Sequence, residues 1–282
     1  MKKWSAYTET PRWRIGLGVV LLAAAALRLW PLFKGEPIWH PDEYSFVFIP
    51  LNFFSGDLNP HFFTYPTLQY YLLGIVYTLD FLLTPNTGLY EWIAYHYLWH
   101  PENLMSLARL VTVAFAVGGV AWAALLARSI AGRGAGLVAA IFLACNIVHV
   151  RQSGLAAPDI PLACWSTGAI WAAVRLLHCE RADNYAIAGV LLGLATSCKY
   201  PAAALAPAIL AAHLAAHRGL ADRRLALAGA LALGAFLLTS PYVLWDYPLF
   251  AKHFLEQIDH VQTGRGQGGW GFHAWTSLRS GV

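Results

Sequence analysis

Seven apolar runs of near bilayer-crossing length leave this 282-residue chain few folds to choose from. They are Ile15 to Phe33, Leu107 to Ile130, Gly136 to Val150, Ile160 to Leu177, Tyr185 to Ser197, Tyr200 to Ala216 and Leu225 to Leu244. A hydrocarbon core asks for ~20 apolar residues per helix, and a backbone inside it must satisfy its own hydrogen bonds. Only 12% of the residues are charged and the mean hydropathy is +0.49, far from the roughly 25% charge of a soluble domain. The expected fold class is an all-α membrane protein, organised as one polytopic domain over residues 1–282, with its being a piece of something longer left open. The first run is too long for a secretory signal and no small-residue cleavage site follows it, so it reads as a retained span.

Basic residues come in short clusters between the runs, and the net charge is only +4. That pattern sets topology and speaks against a nucleic-acid partner. The segment Tyr65 to Leu83 is long enough to cross but carries Asp80 and four tyrosines. If it lies along the interface, then Lys2, Lys3, Arg12, Arg14, Arg128, Arg133, Arg175, Arg181, Arg218, Arg223 and Arg224 share one side, which is the cytoplasm. The expectation is therefore two interfacial helices in the first outer loop, Glu43 to Ser55 and Pro66 to Leu83, rich in Phe and Tyr. The expected location is the inner (plasma) membrane, multi-pass, with the N-terminus cytoplasmic. The tail from Trp245 to Val282 reads as polar, Gly-rich and outward. The four cysteines show no CxxC or metal-like spacing and read as packing residues.

The same topology sends "IWHPDEYSF", "HVRQSGLAAPDIP", "SCKYP" and "PYVLWDYP" to the outer face. In the first, Pro41 followed by Asp42 and Glu43 is a normal helix opening, because acids in the first turn complement the helix dipole. Adjacent residues on a helix point ~100° apart, so the two acids cannot share one role. Asp159 likewise follows Pro158 at the start of a run. Arg109, Arg151 and Lys199 stand at span ends, where a cation needs water, a lipid phosphate or a carboxylate. Capping and snorkelling explain each residue alone. Together, carboxylates and cations at the level of a lipid phosphate suit group transfer, with one carboxylate deprotonating an acceptor hydroxyl while the cations stabilise the departing phosphate.

These residues resemble the polytopic GT-C glycosyltransferases, in the branch of the dolichyl-phosphate-mannose-protein mannosyltransferases and the aminoarabinose transferases (glycosyltransferase family 39-like). The similarity rests on Asp42-Glu43 beyond the first span, "FTYPTLQYYL", "ARL" at Ala108 to Leu110, "RQSGLAAPDIPLA" with Asp159, and "LGLATSCKYPA" with Lys199, in the family's order from Arg14 to Tyr242. The resemblance implies a GT-C-like N-terminal module of about seven transmembrane helices. It implies inverting transfer from a polyprenyl-phosphate sugar donor, with Asp42 as catalytic base and Glu43 and Asp159 as supporting acids. Tyr65 stands where many relatives carry lysine and Thr67 where they carry a second proline, which puts more weight on Lys199, Arg109 and Arg151.

The acceptor is a lipid, glycan or protein hydroxyl. No cofactor is required, although His40, His149 and His260 leave a divalent metal open without following any ligand spacing. A non-catalytic membrane scaffold is the alternative, which sugar release from a labelled donor separates from an enzyme. A secondary transporter is a further one, disfavoured because the charges lie at span ends and no repeat is visible.

Overall fold

One glycine turns the longest helix into a hairpin. The computed structural model describes residues 11–33, 41–179, 181–216 and 219–263, all helix, turn or coil. The helices are α1 (Pro11–Phe33), α2 (Pro41–Phe48), α3 (Leu68–Leu83), α4 (Leu89–Ala94), α5 (Pro101–Cys145) and α6 (Ile147–Ser153). They are followed by α7 (Asp159–Leu176), α8 (Ala182–Thr196), α9 (Ala206–Ala216), α10 (Arg223–Thr239), α11 (Tyr242–Trp245) and α12 (Tyr247–Thr263). Within α5, Gly132 takes φ 90°, ψ −177°, a conformation glycine adopts without penalty. A Cβ on Gly136 would sit 2.7 Å from the Ala124 carbonyl oxygen, whereas a straight helix would hold the two residues ~18 Å apart. The chain therefore reverses at Gly132 into two antiparallel arms, 101–131 and 133–145. Ala24 of α1 packs with Val120, Ala124, Ala140 and Ala144, so both arms grip α1.

The second arm differs from expectation. The run Gly136 to Val150 is not one helix: it stops at Cys145, and Asn146 leaves the helix to cap α6, accepting from the His149 backbone N–H at 2.9 Å. An Asn side chain competes with the backbone for such bonds, which is why it ends one helix and starts another. The other apolar runs are found in α1, the first arm of α5, α7, α8, α9 with the 3-10 turn Tyr200–Leu205, and α10. Among the described residues only α1 and α5 are each long and apolar enough to cross a membrane by themselves. Large apolar side chains point outward from several helices, Leu22 on α1, Phe142 on α5 and Leu238 on α10 among them. Such a belt is what a lipid-facing surface looks like.

The first loop folds on its own small core. The residues 43–55 form α2 and a 3-10 helix, Ile49–Ser55, and α3 begins at Leu68. Phe46, Val47, Tyr70, Leu73, Tyr77 and Trp92 are buried against Leu104, Met105 and Ala108 of α5; each such large side chain contributes about 1.5–3 kcal/mol. Helix α4, the π-helical turn Tyr95–Trp99, and α12 were not foreseen. The tail expectation is thereby corrected, since residues 247–263 are helical. Leu249, Phe250, His253 and Phe254 recur at helical spacing there, and α12 lies over the loop before α3: the Phe63 N–H donates to His253 Nδ1 at 3.2 Å and Phe250 meets Phe63 edge-on. On the far side, α8 and α10 touch backbone to backbone, because a Cβ on Gly189 or Gly193 would overlap a carbonyl oxygen of α10.

Candidate active site

Helix direction explains why the distant acids meet. Helix α7 opens at Asp159 and closes near Arg175, while α8 runs back toward Lys199. The Lys199 ammonium donates to Asp159 Oδ1 at 2.6 Å, pinning the start of α7 to the end of α8. Helix α10 ends at the same level, where Thr67 Oγ1 donates to the Thr239 carbonyl at 2.8 Å. The first loop is thereby brought over the ends of α7, α8 and α10.

Tyr65 joins the groups. Its hydroxyl donates to Asp42 Oδ2 at 3.3 Å, and the Lys199 ammonium lies 5.7 Å from its ring centre. Burial, then the charge of Asp42 and its hydrogen bond, then Asp159, push the Tyr65 phenol up to about 12. It stays protonated and remains a donor at neutral pH. The loop is held by Tyr200, whose hydroxyl donates to the Phe63 carbonyl at 3.0 Å.

The second acid of the pair faces elsewhere. Glu43 is fully buried and takes two bonds from Arg109, Nε to Oε1 at 2.9 Å and Nη2 to Oε2 at 3.0 Å. The Ala156 N–H adds a third at 2.8 Å. One carboxylate thus ties α2, α5 and the 154–158 loop together. The ~100° step between neighbours on a helix separates this inward contact from the half-buried Asp42. Arg109 is itself buried and bound to Glu43, so it offers no accessible cation of the kind expected from its span-end position. Arg151 is exposed on α6, and no hydrogen bond or ion pair links it to the carboxylates among the described residues. His40 lies outside the described residues, as does the side chain of His260. Among the described residues no three His, Cys, Asp or Glu side chains gather as a metal site would need.

Arg28 was missed. It is buried in α1 and donates to Ser153 Oγ, to the carbonyls of Ala24, Leu143 and Ala144, and to His149 Nδ1 at 2.8 Å. The Leu143 and Ala144 carbonyls lie in the last turn of α5, where no further turn of that helix follows to take their full hydrogen-bonding capacity. His149 therefore faces a guanidinium, not the acid cluster. An arginine inside an apolar run is the signal that could have found it.

Comparison with known families places the chain. A profile of the dolichyl-phosphate-mannose-protein mannosyltransferase family matches residues 89–245, more than half of the sequence. The match takes in Arg109, Asp159 and Lys199 and begins beyond Asp42 and Tyr65. That family comprises membrane-integral glycosyltransferases of the GT-C type that use a polyprenyl-phosphate sugar. The chain belongs to the dolichyl-phosphate-mannose-protein mannosyltransferase family. Searches of curated proteins and of solved structures return no match.

Proposed function

We propose that the chain transfers a hexose or pentose, with inversion, from a polyprenyl phosphate to an acceptor hydroxyl on the outer face of the plasma membrane. The observation that carries this is Tyr65, which touches Asp42 on one side and the Lys199–Asp159 pair on the other. A base and a cation are thus held around one space by segments far apart in sequence.

Asp42 sits in the first turn of α2 with its carboxylate turned toward Tyr65. It accepts the acceptor's proton as that oxygen forms a bond to the anomeric carbon, on the face opposite the phosphate. The carbon–oxygen bond to phosphate breaks with its electron pair, and polyprenyl phosphate departs. A single displacement inverts the centre, and the phosphate needs no general acid. An ammonium has three donors: one of Lys199's goes to Asp159, which leaves two for the phosphate. Glu43 and Arg109 act as positioning residues that fix α2, and Arg151 meets headgroups or the incoming phosphate from the rim. We read α1, the two arms of α5, α7, α8, α9 with its preceding turn, and α10 as seven crossings with a cytoplasmic N-terminus. On this reading α2 with its 3-10 extension, and α3, lie along the interface.

The test is transfer of radiolabel from polyprenyl-phosphate mannose, and from a pentose counterpart, by the protein reconstituted in liposomes. Release of polyprenyl phosphate with label moving to an added acceptor is the expected result. A protein that binds donor and releases nothing would instead be the non-catalytic scaffold.

A further inference from the structure

A groove of about 490 Å³ opens beside the cluster, and nothing in the mechanism above uses it. It is lined by Tyr44, Ser45 and Phe48 of α2, Asn52 of the 3-10 helix, Phe62 and Tyr97 among others. Its volume falls within the roughly 300–1,000 Å³ of ordinary small-molecule sites. Resting on the transferase reading, we propose that this groove is the acceptor subsite and that it takes a neutral saccharide chain.

Four features select that ligand. Among the described residues none of the lining side chains carries a charge at neutral pH, so these walls offer a phosphate or a charged headgroup no counter-ion. The walls are aromatic: Tyr44 and Phe48 lie 5.0 Å apart, and Phe48 meets Tyr97 edge-on at 5.4 Å. Rings of this kind accept the apolar C–H faces of a pyranose while their hydroxyls remain wet. The Ser45 hydroxyl and the Asn52 amide make no hydrogen bond within the described protein and supply donors and acceptors for sugar hydroxyls. A prenyl chain laid in the groove would bury both without a partner, which is unfavourable. No strand edge is present among the described residues to pair with an extended peptide.

One lining residue is a helical neighbour of the base. Ser45 follows Asp42 by three residues, so the two lie on one side of α2 about 4.5 Å apart along its axis. From there the lining continues to Asn52, roughly 17 Å from Asp42 along the helical path. A chain lying in it would present its terminal hydroxyl to Asp42 and its remaining units to the aromatic walls.

The experiment uses the full chain in detergent with mannotriose, maltotriose and chitotriose as probes, and saturation-transfer NMR as the readout. At least one triose is expected to bind, and Asn52→Ala or Tyr97→Ala weakens it at least five-fold while Asp183→Ala, at the other end of the bundle, does not. A Thr-containing peptide and farnesol are run alongside. Equal triose binding by wild type and both groove variants overturns the proposal. So does the absence of triose binding, or peptide or farnesol binding that depends on Asn52 and Tyr97 where triose binding does not. Donor consumption is followed in parallel: a protein that binds triose through the groove but never consumes donor contradicts the transferase reading and leaves the saccharide groove standing.

Discussion

The two ends of the helical bundle handle charge in opposite ways. At the end holding Asp42, charged groups are joined across long stretches of chain: Tyr65 to Asp42 over 23 residues, Lys199 to Asp159 over 40, Arg109 to Glu43 over 66. At the other end the ion pairs are local. Arg181 pairs with Asp183 and Arg224 with Asp222, each two residues away. Other arginines there rest on aromatic rings, Arg128 over Trp13 at 4.2 Å and Arg175 over Trp171 at 4.6 Å. Local pairs need no tertiary fold, and a basic end suits topology. Long-range ion pairs form only when the bundle is assembled, and it is at their end that we place the proposed site.

This contrast can be broken by mutation, and the largest effect belongs to Asp42. Asp42→Asn keeps shape and removes the base, so transfer is expected to fall ~10²–10⁴-fold with membrane insertion unchanged, read from label transfer and protease protection. Glu43→Gln is expected to act on the fold instead. It strands the buried Arg109 charge, at a cost of about 3–5 kcal/mol, seen as a lower denaturation midpoint. Glu43→Leu with Arg109→Met should recover much of that stability but not full activity, because the Ala156 N–H loses its acceptor. Lys199→Met removes charge-assisted bonds worth about 1.5–3 kcal/mol to a bound phosphate, roughly a 10- to 150-fold loss in kcat/KM borne mainly by KM for the donor.

At the basic end the expected effects are small. Asp183→Ala should change stability by less than about 0.5 kcal/mol and leave transfer alone, since both partners are more than half exposed. The smallest effect is a pH response of the local turns. The Arg224 side chain and backbone N–H hold the Asp222 carboxyl below the usual carboxylate range, and His61 with the Asn59 N–H does the same for Asp57. A lowered folded-state value gives a contribution that is complete above about pH 4 and is lost as the pH falls further. Asp222→Asn should therefore melt less differently from wild type at pH 3 than at pH 6.

The meeting of Lys199 with Asp159 was legible in the sequence because each stands where an apolar run begins or ends. Topology could not show which neighbour each residue would choose. Arg109 looked like Lys199 from its position, yet one helical step along α2 decides that Glu43 meets it inside the core while Asp42 turns to Tyr65. Tyr65 was a candidate substrate contact because it stands where many relatives carry lysine, but nothing in the sequence showed that its hydroxyl would bond Asp42. Arg28 was illegible for another reason: its partners include carbonyls in the last turn of α5, and the break at Asn146 lay inside a run that looked continuous. Helix α12 was lost among the glycines and polar residues around it, although its apolar spacing was there to be counted.

The most direct measurement concerns sidedness and proximity together. Asp42→Cys and Asp159→Cys, made singly, are treated in sealed spheroplasts with a membrane-impermeant thiol reagent, with and without polyprenyl-phosphate mannose. Labelling of both positions from outside, and protection of both by the donor, is the predicted result. Labelling of one position only after the membrane is opened would place the two acids on opposite faces and contradict the site.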